Sequence, residues 1–210
     1  MFKTIVENNI AEIVEKKSKF IANIFYIESV LDAENKIKEI KKKYYDARHN
    51  CYAFSVLDND TIINRSSDDG EPSGTAGAPM LNLLVKNNLV NVLVVVTRYF
   101  GGILLGTGGL VRAYTTATMN VIQKCDIVLQ EKGEELKVEI SYDEFEKFRY
   151  YCKINNINII NIDYGENVQV YIETNEQEKN KILQEKEKRK LQILDIFVIR
   201  EKYIKKNTGK

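Results

Sequence analysis

The chain has 210 residues, with 31 basic and 30 acidic side chains and a net charge of +1. Its 44% hydrophobic content fills a core for one large domain or two small ones, and the near-zero charge argues against a protein built as a polycation for nucleic acid. No apolar run approaches the roughly 18 residues of a membrane span and no basic-then-apolar signal peptide opens the chain, so a cytoplasmic protein without membrane contact is expected.

Cys51, Cys125 and Cys152 are odd in number and far apart. They read as buried small hydrophobes rather than a disulfide framework or a zinc cluster. Charge is also balanced along the chain, with 15 basic and 15 acidic residues up to Glu131 and 16 and 15 after it.

In chain order, residues 10–27 mix polar alternation with β-branched and aromatic residues, which predicts two strands or one bent one. Val30, Ala33, Ile37, Ile40 and Tyr44 recur at helical spacing, and Lys36, Lys38, Lys41, Lys42 and Lys43 fall mostly on the opposite, solvated face. Residues 51–57 and 61–65, separated by Asp-Asn-Asp, predict a hairpin. Residues 78–88 predict a helix with Pro79 in its opening turn. Residues 91–100 are an almost unbroken apolar run, as expected of a central strand covered on both faces. A helix carrying Leu110, Ala113, Tyr114, Ala117 and Val121 on one stripe follows, and a strand near residue 130 closes this part.

The remainder fits a compact βαββαβ unit: strand 135–140, helix 142–156 with Phe145, Phe148 and Cys152 inward, two strands around Asp-Tyr-Gly-Glu-Asn, a charged helix, and a final strand. That order is ferredoxin-like. The expected division is 1–131 and 132–205, parting near Lys132 and Gly133, with 206–210 a frayed tail.

Two stretches break the style of the chain. Gly70, Gly74, Gly77, Gly101, Gly102, Gly106, Gly108 and Gly109 make up eight of the 11 glycines, and the window from Gly70 to Gly109 also holds both prolines but only Glu71, Lys86 and Arg98 as charged residues. In Leu-Leu-Gly-Thr-Gly-Gly, Thr107 is the natural N-cap, with Gly108 and Gly109 as the first helical residues. Bare amides at the positive end of a helix dipole form a surface for an anion. Arg98 and Arg112 flank it with forked donors suited to phosphate. The spacing is neither a Walker A loop nor a dinucleotide fingerprint. The alternative is that the glycines only let the helix pack closely on the preceding strand.

Asp68, Asp69 and Glu71 stand just before Pro72, and Ser73 or Thr75 is placed to cap the next helix. The carboxylates have two readings: a divalent-cation site, although their spacing matches no cation loop, or partners for Arg98, Arg112 or Arg65 that fix one loop against the other. His49, the sole histidine, begins His-Asn-Cys-Tyr-Ala-Phe and is the candidate acid or base at the rim of this site.

With Ser-Lys-Phe-Ile-Ala upstream, the segments from His49 to Phe54, Asp68 to Leu81 and Val94 to Tyr114 make the sequence similar to the bacterial, YigZ-like branch of the IMPACT family. The similarity is strong over the first 130 residues. It implies an α+β protein with a ribosomal protein S5 domain 2-like N-terminal domain and a C-terminal domain like the ferredoxin-like domain V of elongation factor G. His49, Asp68, Asp69, Glu71, Ser73, Thr75, Arg98, Tyr99, Gly101, Gly102, Gly106, Gly108, Gly109 and Arg112 stand where the family motifs have them. Eukaryotic relatives act in translational control by binding the activator of an initiation-factor kinase, but through an additional domain that does not occur in this chain.

The leading expectation is a non-enzymatic, translation-linked regulatory protein that binds RNA or the ribosome through Arg98, Tyr99, Gly101, Gly102, Gly106, Thr107, Gly108, Gly109 and Arg112, with no cofactor. His49, Asp68, Asp69, Glu71, Ser73 and Thr75 form the rim. The alternatives are an enzyme acting on a phosphorylated metabolite or nucleotide, with His49 in proton transfer and Asp68, Asp69 and Glu71 at a metal, and a protein-interaction adaptor with a partner in translation control.

Overall fold

The structure is a computed structural model that describes residues 1–59 and 61–206. The protein is α+β and divides into two compact units, Phe2–Val128 and a second formed by Leu129 onward together with Met1.

The first unit begins with β1 (Phe2–Ile5), whose Lys3 bonds to the backbone of Asn88 and Val90. The expected strand pair is β2 (Asn9–Glu15) and β3 (Ser18–Tyr26), an antiparallel hairpin. Next comes α1 (Val30–Lys43), capped by Ser29, whose Oγ accepts from the Asp32 amide at 3.1 Å. Strands β4 (His49–Asp58) and β5 (Thr61–Ser67) pair antiparallel as the second hairpin, whose Asp-Asn-Asp turn includes Asp60, outside the described residues. Helix α2 (Gly77–Lys86), strand β6 (Val92–Tyr99) and helix α3 (Gly106–Gln123) follow.

The sheet order is β2-β3-β6-β4-β5, so the strand with the apolar run Val92 to Val96 lies in the centre. Side chains alternate across it. Val92, Val94 and Val96 join Met80, Leu84, Leu110, Tyr114 and Val121 of α2 and α3 on one face. Leu93 and Val95 meet Ala33, Ile37 and Ile40 of α1 on the other. Coverage on both sides is why this strand carries an apolar run instead of an alternating one.

The second unit is built from β7 (Ile127–Ile140), α4 (Tyr142–Ile154), β8 (Asn158–Tyr164), β9 (Val168–Thr174), α5 (Glu176–Glu187) and β10 (Ile193–Lys205). Its strands run β10-β7-β9-β8, every neighbour antiparallel. Leu136, Val138, Ile140, Val170 and Ile172 meet Phe145, Phe148, Cys152 and Ile182 in a separate core. A capping box at Asn175 and Glu178 starts the charged helix.

One difference from the sequence reading concerns β7. The strands expected near residue 130 and at 135–140 are a single strand of 14 residues that passes through Lys132 and Gly133. Gly133 permits close contact there, since a side-chain carbon would lie 2.6 Å from Ile204 and 2.7 Å from the Thr174 carbonyl. At the C-terminus the Lys206 amide bonds to Leu129 O at 2.8 Å. The rest of the expected frayed tail, 207–210, lies outside the described residues.

Candidate functional site

The two glycine-rich stretches meet at one end of the first sheet. Phe20, Arg98 and His49 are register partners across β3, β6 and β4. By parity they share the face of Val94 and Val96, at the end where the loop 68–76 and the segment 100–106 cross. The cleft there has a volume of about 400 Å³. Arg48, His49, Glu71 and Arg98 supply its polar wall, Pro72, Phe100, Leu104, Leu105 and Leu110 its apolar wall, and Gly70, Gly106 and Thr107 complete it.

The loop is held by its own carboxylates. Asp68 Oδ1 accepts from the amides of Ala76 and Gly77 at 2.9 and 2.8 Å, and Oδ2 accepts from Gly74 N at 2.8 Å. Partial burial pushes its pKa up, but these three donors outweigh that and hold it below the ordinary carboxylate value. Asp68 therefore does the capping assigned to Ser73 or Thr75. Ala76, the N-cap of α2, makes no side-chain cap bond, and Thr75 Oγ1 donates to Pro72 O at 2.7 Å, closing the loop on itself.

Asp69 accepts from Lys41 Nζ at 2.6 Å and from the Asn50 amide at 2.8 Å. Its carbonyl lies 2.9 Å from His49 Nδ1. A carbonyl only accepts, so Nδ1 carries the proton and Nε2 of the neutral ring is an acceptor. Gly70, at φ +88°, lets the loop turn over the imidazole, because a side-chain carbon there would sit 3.3 Å from Nδ1.

Glu71 is the centre of a buried chain. Its Oε1 accepts from Arg98 Nη1 at 2.6 Å and from Tyr114 Oη at 2.9 Å. The Cys51 thiol lies 3.2 Å from Tyr114 Oη and 2.9 Å from Asp68 O, one proton between two acceptors. Burial, before any neighbouring charge, pushes the thiol up to about 12 and raises the Tyr114 phenol as well. The Arg98 guanidinium sits 5.5 Å from the Phe20 ring centre and 5.6 Å from that of Phe100.

Each carboxylate thus has protein partners: Asp68 the amides, Asp69 a lysine and an amide, Glu71 an arginine and a phenol. Among the described residues no group of three metal-ligating side chains is gathered. Of the three arginines weighed as partners, only Arg98 binds these carboxylates; Arg65 pairs with Glu34 at 3.3 Å, and Arg112 is exposed on α3 outside the cleft.

The helix start also differs. Helix α3 begins at Gly106, at φ +70°, and Leu105 is its N-cap with no side-chain cap bond, so Thr107 lies inside the first turn instead of capping it. Gly108 and Gly109 continue that turn. Tyr99 faces away from the cleft, as the residue after Arg98 on a strand must, and donates to Asp46 Oδ1 at 2.7 Å. That bond, ahead of burial, pushes its phenol up to about 12. Gly101 is a packing glycine, donating from its amide to Ser18 Oγ at 3.2 Å, and Gly102, at φ +84°, turns the chain beside open space. Ser73 is exposed on the loop, outside the cleft lining. Sequence reasoning missed Arg48, Phe100 and the leucines of the cleft wall, and the Cys51–Tyr114 link.

A family model, the Impact N-terminal domain, matches residues 16–122, which contain the whole cleft, and a domain of unknown function (DUF1949) matches residues 138–185. The IMPACT family member YvyE of Bacillus subtilis (strain 168) is 37% identical over 177 residues, spanning 84% of this chain and 81% of that protein. The chain belongs to the IMPACT family. Family member YigZ of Escherichia coli (strain K12) is 35% identical, spanning 71% of this chain and 74% of that protein. A crystal structure of a hypothetical protein, 27% identical, covers 95% of this chain and 97% of its own with a TM-score of 0.62.

Proposed function

We propose that this family member is a translation-linked regulatory protein of the cytoplasm that binds RNA or the ribosome through the cleft of its first unit. The observation that carries the reading is the start of α3: a first turn without a side-chain cap, whose Gly106 and Thr107 line a cleft that also holds Arg48, His49 and Arg98. Family membership supports the link to translation. Rat Protein IMPACT is 40% identical over 101 residues, spanning 46% of this chain and 31% of that protein. The strand order β10-β7-β9-β8 supports a ferredoxin-like second domain, and the match of residues 16–122 to the Impact N-terminal domain supports an S5 domain 2-like first one.

Binding by this route is local. Glu71 already neutralises Arg98 and Arg48 is the other arginine of the lining, so about one phosphate is neutralised and the logarithm of affinity falls with the logarithm of salt at a slope of about −0.7 for a single strand. Filter binding to structured RNA and co-sedimentation with ribosomes across a salt series test the reading. Absence of retention at the lowest salt removes it.

A second reading, an enzyme acting on a phosphorylated metabolite or nucleotide, is favoured by the His49 ring, whose Nε2 is the acceptor of a concave site. Turnover in a panel of phosphate esters that disappears in His49→Ala supports it.

A further inference from the structure

Resting on the reading that RNA meets the cleft end of the first unit, we propose that the RNA does not stop in the cleft: its backbone crosses the mouth and is gripped on both sides, by Lys16 and Lys17 of the β2–β3 turn and by Lys42, Lys43 and Arg48 where α1 leads into β4. The ligand is then a run of consecutive phosphates on a single strand.

Topology gathers these groups. Every strand of the first sheet is antiparallel to its neighbours, so the β2–β3 turn, the end of β6 and the start of β4 lie at the same end as the cleft. Helix α1 ends there too, since only the five residues 44–48 part it from β4. Lys41 Nζ reaches Asp69 of the cleft loop at 2.6 Å.

The charge at this end is uneven. Lys41 is engaged with Asp69 and Arg98 with Glu71, while amides hold Asp68 and the Tyr99 hydroxyl holds Asp46. Glu15 is the remaining carboxylate. Lys16, Lys17, Lys42, Lys43 and Arg48 are exposed, and among the described residues none of them pairs with a carboxylate. At the opposite end Lys3, Lys86 and Lys124 are matched by Glu7, Glu28, Asp58 and Asp126, with no such excess.

The helix dipole accounts for lysines in the last turn of α1, but not for Arg48 or for the β2–β3 turn. Lys16 and Lys17 are the central residues of a two-residue hairpin turn closed by Glu15 and Ser18, at φ 44° and 66°. Asparagine and glycine suit that left-handed pair; two lysines hold it at a conformational cost, with both side chains exposed.

Width and rings decide the class of partner. β3 and β4 are two strand spacings apart, about 10 Å, which is more than one phosphate spans. Tyr45, 86% exposed between Lys43 and Arg48, and Phe100, 50% exposed at the cleft, offer ring faces on which unpaired bases stack. A carboxylate-rich peptide supplies the charge without planar groups for those rings.

Filter binding of a single-stranded RNA of about twelve nucleotides to the full chain, across a salt series, reads the number of phosphates held. The expected slope is about −3.5, against about −0.7 for the cleft alone. The double variants Lys16→Ala, Lys17→Ala and Lys42→Ala, Lys43→Ala each bring it to about −2.1, and Tyr45→Ala weakens binding at least about fivefold at constant slope, all with unchanged melting temperatures. A slope near −0.7 that neither double variant alters overturns the rim and leaves the cleft reading intact. Displacement of the RNA by polyglutamate as readily as by unlabelled RNA of equal charge overturns the choice of RNA. If no RNA is retained at the lowest salt, both fall.

Discussion

Arg98 Nη1 meets Glu71 Oε1 at 2.6 Å with the two side chains only 7% and 3% exposed, so the end of the central strand and the loop after β5 are joined by a buried pair of opposite charges. Removing one member strands the other. Glu71→Leu or Arg98→Met is expected to cost about 3–5 kcal/mol in chemical denaturation, while the double variant Glu71→Leu, Arg98→Met recovers much of the loss. A loss in the double variant equal to the sum of the two single losses contradicts a coupled pair.

Asp68 gives a pH signature. Its folded pKa is depressed by the amides of Gly74, Ala76 and Gly77, so its contribution is complete above the unfolded value of about 3.9 and is lost as pH falls through the lower, folded one. Asp68→Ala is expected to lose about 1–2 kcal/mol at neutral pH. The difference from the parent protein shrinks in acid, and a difference that stays constant down to the acid-unfolding limit rules out the amide cap as its source.

The glycines divide by what surrounds them. A side chain at Gly101 would overlap the backbone of Lys17 and Ser18, so Gly101→Ala is expected to destabilise by about 1–3 kcal/mol as the β2–β3 turn shifts. Gly108→Ala instead gains helix propensity, up to about 1 kcal/mol. Thermal melts of the two variants should move in opposite directions.

Thiol chemistry follows burial. Cys51 and Cys152 are buried and each pushed up to about 12, mainly by desolvation. Cys125 is partly exposed and raised as well. A thiol reagent at neutral pH is expected to label at most Cys125 in the folded protein and all three in denaturant; fast native labelling of Cys51 would show that the loop 68–76 opens.

Much of the fold is legible in the sequence because its signals are local. The run from Val92 to Val96 announces a strand covered on both sides, and the three- and four-residue spacing of Ala33, Ile37 and Ile40 gives α1 its inner face. Strand β7 reads as two because Glu131-Lys132-Gly133-Glu134-Glu135 resembles a break, and only the nearness of Ile204 shows why glycine stands there. At the cleft, the crowding of glycines points to two segments meeting, and charge alone suggests an arginine as the partner of Glu71. The roles of Tyr114 and Cys51, 63 residues apart, depend on tertiary packing that no spacing expresses. The placing of Tyr99 is within reach of the sequence, because consecutive strand residues face opposite sides.

Strand β6 lies between β3 and β4, and both of these precede it in the chain. During synthesis the β2–β3 and β4–β5 hairpins emerge first, each with an inner edge that has nothing to pair with until Tyr99 has left the exit tunnel. The nascent chain therefore carries two open, adhesive edges through the making of some thirty further residues after β5, and the valine-rich strand then closes both at once. A pause in elongation after Ser67 has left the tunnel and before Tyr99 has done so prolongs the interval in which this protein is most prone to aggregate.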